Sequence, residues 1–570
     1  MQRRFLLLFL CVFLFSAFIR LYVLTQNPEG FDPTEAAFAY NAYSILQTGR
    51  DEDGRLLPLV LISTGDDKLT GYSYWQIPFI ALLGLNEFSA RFSTAFAGIL
   101  SLLLIYFIVH EVFKNKKLAL LTVFLVGISP WHLTLSRMAY DPMIALVMYL
   151  ASIAAFLHWQ KMLRTYALIL SGFTLAWSLG TYYAVWLLLP FTLLYYAFHI
   201  FKNSGSFQSK LSQVIVIAIL PLVTIGAIVL VTQGNRLNQD STFQVHAQPL
   251  LDELIREDQH EFAPLMTRAF HNKAVFYPQM LLQSYFTNLS FDFLFLNGDK
   301  IDRRFWVPYQ GVLLLWMAPF VLLGILQFWK KQSLLRNILV WGAIGVIFLG
   351  SAFSEFGSES ERTLFAIPLF AIFTSFGLLF VYQQIRGRRL LLLASITLGV
   401  LLGFNVAYFN HQYYHHANVH EPWGRNYGTR ALFSRLPQVA AQYEQVVIPD
   451  SLYIFYYFYN QTDPHQAWKE AESRLVQGNF LNQRLRKQVG PYVTMPIDCP
   501  RQGKKNTLYV CFGNQIPQNS QVVDVTYYRD GQPAITLLEL TQEPSNEPPP
   551  KNIDYGGVGA ILDANDTNFW

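Results

Sequence analysis

Apolar runs of about twenty residues recur along the chain, each closed by charged residues, glycine or proline. They fall near residues 5–25, 92–112, 117–135, 142–159, 165–181, 182–201, 211–232, 309–329, 336–353, 363–382 and 390–409. A run of this length crosses the hydrocarbon of a bilayer as a helix, so the pattern predicts about eleven transmembrane helices. Two of them meet at Gly180-Thr181-Tyr182 with almost no loop. The first, Phe5 to Leu24 behind Met1-Gln2-Arg3-Arg4, is followed by no Ala-x-Ala cleavage site and is expected to be a retained helix rather than a signal peptide.

Three segments break the apolar pattern. The first loop, about 26–90, holds an amphipathic-looking stretch from Glu35 to Leu46 and the apolar Ile77 to Leu85, which is too short to span. The second, about 233–308, is polar and then aromatic. From about 410 onward, short β-like runs (Gln445 to Ile448, Leu452 to Tyr459, Thr507 to Phe512, Gln521 to Tyr528, Ala534 to Leu540) alternate with turn residues. The expected organisation is an α-helical polytopic membrane domain over 1–409, a small α/β domain over 410–542, and a flexible Pro-rich tail over 543–570.

Charge supports this map. Only 14% of residues are charged, against about 25% in an ordinary soluble protein. The inter-helix segments that the map places in the cytoplasm carry Arg3/Arg4, Lys114/Lys116/Lys117, Lys161/Arg164, Lys202/Lys210, Lys330/Lys331/Arg336 and Arg386/Arg388/Arg389. The opposite loops carry Asp32, Glu35, Asp51, Glu52, Asp53, Asp66, Asp67, Glu355, Glu359 and Glu361. By the positive-inside rule the N-terminus is then cytoplasmic and the C-terminal domain extracytoplasmic, as in a multi-pass plasma (bacterial inner) membrane protein. The net charge of +4 and the lack of basic stretches interleaved with aromatics argue against nucleic acid as a partner. On the extracytoplasmic side, Cys499 and Cys511 are a candidate disulfide.

Several outer-surface groups are chemical candidates. Asp32 and Glu35, in Gly30-Phe31-Asp32-Pro33-Thr34-Glu35, either supply a general base at the lipid–water boundary or form a helix cap with acid in the first turn. Lys68, near Tyr72, Tyr74 and Trp75, suits the phosphate of a lipid whose tail stays in the bilayer, or pairs with Asp66-Asp67. Arg91, Arg137 and Arg362 sit near outer helix ends, against the positive-inside bias, where they suit an anionic headgroup. Asp141 is a partner for Arg137 or a second functional acid. His411, His415, His416 and His420 form i,i+4 pairs, but no nearby Cys completes a metal site and none is assigned. A nucleotide-driven pump is disfavoured, since no phosphate-binding or dinucleotide motif occurs.

These motifs, in this order, resemble the GT-C glycosyltransferases, in particular bacterial members similar to the protein O-mannosyltransferase and aminoarabinose transferase group. The resemblance is carried by Glu35 to Leu46 with Thr48-Gly49-Arg50-Asp51-Glu52 and Leu57-Pro58, by Asn86 to Phe92 with Gly98, and by Ser129-Pro130-Trp131-His132 with Ser136-Arg137 and Asp141. Phe293 to Asp299, Arg362 to Pro368 and Tyr453 to Pro464 extend it through most of the chain. One departure stands out: the family's Asp-Glu pair reads Thr34-Glu35 here, with an Asp two residues earlier at Asp32.

The resemblance implies an inverting transfer of a sugar, a hexose such as mannose or a pentose, from a polyprenyl-phosphate carrier to an extracytoplasmic protein, lipid or glycan. Asp32 or Glu35 would be the catalytic base. Lys68, Arg91, Arg137 and Arg362 would hold the donor phosphate, and Tyr40, Tyr72, Tyr74 and Trp75 would contact sugar or lipid. No cofactor beyond the lipid-linked donor is expected, with divalent metal left open. The competing readings are a transporter or flippase for lipid-linked glycans and a catalytically altered accessory subunit. Spans nearly free of mid-helix charge disfavour transport.

Overall fold

The computed structural model of the chain describes residues 2–64, 66–232, 242–261, 264–300, 304–353, 359–420, 422–471, 475–477, 482–484, 486–513 and 516–540. The expected tail at 543–570, and Glu355 among the outer acids, lie outside the described residues. The chain is a mostly helical polytopic membrane protein with a mixed β-sheet in its C-terminal region. Among the described residues seven helices are long and apolar enough to span, and Phe5–Leu21 and Thr165–Leu179 are shorter apolar helices. The chain divides into two compact units: one holds the residues through Leu24 and Phe92–Tyr413, the other holds Thr25–Arg91 and the residues from Tyr414 on.

In the first unit every expected apolar run contains a helix, beginning with α1 (Gln2–Leu21). Two runs are shorter as helices than the pattern predicts. The 117–135 run splits into Lys116–Gly127 and Pro130–Leu135, because Pro130 suits the first turn of a new helix and not the interior of an old one. The 309–329 run becomes α-helical only at Ala318–Lys331. Its leading residues are tied elsewhere: the Val312 and Leu313 amides donate to the carbonyls of Phe293 and Leu294, and the Val312 carbonyl accepts from the Trp131 amide. The helices approach closely at small residues. A Cβ on Gly324 would lie 1.7 Å from the Phe373 carbonyl oxygen, and one on Gly377 would lie 2.1 Å from that of Phe320. Without a hydrophobic force between helices in lipid, such close backbone packing is what holds a bundle together.

The second unit opens with α2 (Pro33–Thr48), whose residues are buried almost all round rather than along one stripe. It continues through the antiparallel hairpin of β1 (Val60–Ser63) and β2 (Asp66–Leu69) into α3 (Gly71–Leu83). The C-terminal region adds β3 (Gln445–Pro449), the small β4/β5 hairpin (Leu475–Gln477 and Asn482–Arg484), β6 (Gln488–Val489), β7 (Tyr492–Met495), β8 (Thr507–Phe512), β9 (Ser520–Tyr527) and β10 (Pro533–Leu540). Six of these strands form one sheet in the order β6-β7-β3-β8-β10-β9, with β3 parallel to both neighbours and the remaining pairs antiparallel. Val447, Met495, Tyr509, Cys511, Leu538 and Leu540 make its core. A disulfide joins Cys511 of this core to Cys499, which packs against it, with Cα atoms 4.8 Å apart.

The β-like reading of Leu452 to Tyr459 is corrected: Asp450–Leu452 is a 3-10 turn and Tyr453–Tyr459 an α-helix. The run is short and almost wholly apolar or aromatic, a pattern in which periodicity does not separate a strand from a buried helix. Burial on several sides (Tyr453, Ile454, Phe455, Tyr457 and Phe458) is what the helix satisfies.

Candidate functional site

The head of α2 is built by local chemistry. The Asp32 side chain accepts from the Thr34 amide at 2.8 Å, and the Asp32 amide donates to Glu35 Oε2 at 3.1 Å. Pro33 occupies the first turn, so this is a complete capping box. Gly30, at φ +82°, leads into it past the Arg425 carbonyl, where a Cβ would lie 2.2 Å away. Both Asp32 and Glu35 are buried.

Glu35 is also clamped from a distance. Arg91 donates from Nε to Oε1 and from Nη2 to Oε2, each at 3.0 Å. The same guanidinium donates to the carbonyls of Pro28 at 2.8 Å and Gly30 at 2.6 Å. Both side chains are fully buried. The two-pronged geometry is the strong form of an Arg–carboxylate pair, and it fixes the loop that carries Asp32. The arginine expected at the donor phosphate is therefore engaged with Glu35 and its loop in this arrangement.

The foot of α2 gathers a second cluster that sequence reasoning did not single out. Glu52 Oε2 accepts from Asn41 Nδ2, and its amide donates to Asn41 Oδ1, both at 2.9 Å. The Tyr453 hydroxyl donates to Glu52 Oε1 at 2.8 Å. Arg486 donates to Asp53 at 2.8 Å and lies 3.7 Å from Glu52. Its guanidinium stacks over the Tyr453 ring at 4.4 Å. Burial pushes the Glu52 carboxyl up to about 7, against the pull of Arg486 and with the help of Asp53. Burial likewise raises Asp51 to about 6.

Lys68 lies on β2, buried, with Nζ donating to the Ser63 carbonyl at 2.9 Å and to Thr64 Oγ1 at 3.0 Å. Asp66 is 3.8 Å away. The aromatic candidates are structural neighbours of this hairpin and of α2. The Tyr40 hydroxyl donates to the Thr462 carbonyl at 3.0 Å and its ring stacks on Tyr457. Tyr72 is fully buried, against Phe38. Tyr74 donates to the Pro58 carbonyl at 2.9 Å, and Trp75 packs on Phe79.

The remaining candidates belong to the first unit. Arg137 is fully buried and caps the end of α1, donating to the carbonyls of Ile19 (2.7 Å), Arg20 (3.0 Å) and Tyr22 (2.7 Å), with Nε on the Tyr413 hydroxyl at 3.2 Å. A cation at those carbonyls is what a helix C-terminus favours. Asp141 opens the helix Asp141–Met162, and Arg362 pairs with Glu359. These groups share one neighbourhood: Asp141, Glu359, Glu361 and Arg362 all lie near enough to the Tyr182 hydroxyl to act on it electrostatically. Among the described residues no group of three or more His, Cys, Asp or Glu is arranged to hold a metal ion.

The residues missed from sequence are Glu52, Tyr453, Arg486 and Asn41. Glu52 and Tyr453 stood inside quoted motifs without a role, and Arg486 carried no local signal at all.

Residues 10–235 match the family model described as dolichyl-phosphate-mannose-protein mannosyltransferase. No curated protein matches the sequence. ArnT from Cupriavidus metallidurans, solved in the apo state, is 12% identical over 94% of this chain and 98% of its own, with a TM-score of 0.47. The same protein bound to undecaprenyl phosphate is 13% identical over 93% and 97%, with a TM-score of 0.46. The oligosaccharyltransferase AglB from Archaeoglobus fulgidus, in complex with an inhibitory peptide and a dolichol-phosphate, is 12% identical over 80% of this chain, with a TM-score of 0.45. This chain spans 63% of AglB's length. The amino-terminal part of the chain, residues 10–235, thus carries the pattern of the dolichyl-phosphate-mannose-protein mannosyltransferases, a family of membrane glycosyltransferases that the first-loop motifs resemble.

Proposed function

We propose that this protein is an inverting glycosyltransferase that takes a sugar, a hexose such as mannose, from a polyprenyl-phosphate carrier and passes it to a hydroxyl-bearing acceptor on the extracytoplasmic face. Asp32 removes the acceptor's proton as its oxygen bonds to the anomeric carbon. The bond from that carbon to the carrier's phosphate oxygen breaks, and its electron pair leaves with the polyprenyl phosphate. Lys68 offsets the charge that develops there. One displacement inverts the anomeric configuration.

The observation that carries this reading is the division of labour at the head of α2. Both oxygens of Glu35 accept from Arg91, while the Asp32 carboxylate accepts from the Thr34 amide at the cap of α2. This favours Asp32 over Glu35 as the base and gives Glu35 the task of holding the loop. Asp32, Glu35, Lys68 and Arg91 also all lie within the stretch that matches the family. The alternation of basic and acidic inter-helix segments supports the extracytoplasmic placement.

The test is reconstitution of the purified protein with a panel of polyprenyl-phosphate sugars and an acceptor membrane extract, reading release of polyprenyl phosphate. Turnover of one donor, abolished in Asp32→Asn and in Lys68→Ala, is expected. Turnover that survives Asp32→Asn and is lost only in a well-folded Glu35→Gln reverses the assignment. No turnover with any donor, where a related enzyme works, removes the transferase reading.

A further inference from the structure

We infer that Tyr453, from the C-terminal region, is a positioning residue for Lys68, its hydroxyl fixing the Ser63–Thr64 turn on which the ammonium group rests. The inference builds on the proposal that Lys68 meets the carrier phosphate.

The tyrosine's hydrogen bonds have a defined direction. A phenol has one proton, and here it goes to Glu52 Oε1 at 2.8 Å. The oxygen then accepts from the Thr64 amide at 2.9 Å and lies 3.2 Å from Ser63 Oγ. Ser63 and Thr64 are also the two residues that receive Lys68, through the Ser63 carbonyl and Thr64 Oγ1. One hydroxyl therefore grips from behind the turn that aims the ammonium group. Asp66, at 3.8 Å, is beyond hydrogen-bond reach and does not do this.

The turn needs holding. Thr64 has φ +55°, a left-handed conformation that a β-branched residue adopts only under constraint. The grip is itself anchored. Asn41 on α2 holds Glu52 by two hydrogen bonds, and Arg486 lies over the Tyr453 ring while bonded to Asp53. Tyr453, Glu52 and Lys68 are all buried, so water does not replace these bonds.

The experiment uses the full-length protein in detergent and two probes, undecaprenyl phosphate and undecaprenol, with binding read by native mass spectrometry. Lys68→Ala is expected to weaken undecaprenyl phosphate by about tenfold or more while undecaprenol is unchanged. Tyr453→Phe is expected to weaken the phosphate probe roughly fivefold, the worth of one buried hydrogen bond, again sparing undecaprenol. Added to Lys68→Ala, it produces no further loss. Thr64→Gly is expected to lose the same preference for phosphate with an equal or higher melting temperature, because glycine adopts this φ without strain.

Wild-type binding of undecaprenyl phosphate by Tyr453→Phe overturns the inference, as does a loss that persists in full on top of Lys68→Ala or that strikes undecaprenol equally. If Lys68→Ala itself binds the phosphate probe normally, the phosphate role of Lys68 falls and the inference falls with it. The first set of results leaves that role standing, so the two failures are distinguishable.

Discussion

The two ends of α2 handle buried charge in opposite ways. At its head Glu35 and Arg91 are matched two prongs to two, and other donor contacts of Arg91 go to the Pro28 and Gly30 carbonyls. At its foot three acids, Asp51, Glu52 and Asp53, are buried beside Arg486, with Arg55 contributing from the more exposed side at 3.5 Å from Asp53. At the head the two-pronged pair acts as a rigid clamp on the loop. The foot has more acid than base, so desolvation prevails and Glu52 is pushed toward neutral pH. The lesson is that a two-pronged buried pair stiffens a loop, whereas acids crowded into a buried cluster have their carboxyls raised by desolvation.

The largest effect expected at either end is on chemistry. Asp32→Asn is expected to lower sugar transfer by about 10²–10⁴-fold, the usual worth of a general base, with the fold intact because Asn is also a good N-cap. Glu52→Gln at the other end is expected to keep transfer within roughly tenfold of wild type, one lost hydrogen bond to a positioning group. Assays of donor turnover on both variants check the contrast, and equal losses would erase it.

Stability comes next. Arg91→Ala strands a buried carboxylate and is expected to lose about 3–5 kcal/mol, and Arg91→Lys is expected to recover little, since an ammonium does not reproduce the fork. Arg486→Ala is expected to lose less at pH 6, about 1–3 kcal/mol, because the acids it abandons relieve themselves by taking up a proton. Thermal unfolding of the two variants in detergent ranks them.

A smaller effect separates the ends by pH. Glu52 titrates near 7 in the folded chain, against an ordinary value of 4.5. Between those values the folded state holds a proton that the unfolded chain has released, so stability falls as pH rises from about 4.5 through 7. Asp51, raised to about 6, acts in the same direction. The melting temperature of the wild type is expected to drop from pH 5 to pH 8, and Glu52→Gln is expected to flatten that slope. An unchanged slope would show that the foot does not titrate as described. Smallest is Tyr40→Phe, mid-helix, which removes the bond to the Thr462 carbonyl and is expected to lose about 1 kcal/mol in the same melt.

How much of this was legible in the sequence depended on distance along the chain. The cap at Asp32-Pro33-Thr34-Glu35 was readable because its partners lie within three residues. Arg91 and Arg137 stood out for their placement, but the partners that turn them inward lie 56 residues away at Glu35 and 118 at Ile19. The Tyr453 hydroxyl reaches Glu52 across 401 residues, and Arg486 reaches Asp53 across 433. No local pattern announces such contacts. Leu452 to Tyr459 failed for another reason: an aromatic run with no polar face has no period to read.

The sequence by itself determined that this is a multi-pass membrane protein, which apolar runs hold helices, and where α2 is capped. Those properties follow from the length of an apolar run and from hydrogen bonds a few residues long, which are written in one dimension. Only the tertiary structure decided which charge meets which: that Arg91 clamps Glu35, that Arg137 closes α1, and that the C-terminal Tyr453 and Arg486 reach back to the first loop. A buried charge must find its partner wherever the fold brings one close, and that proximity exists only once the chain is packed.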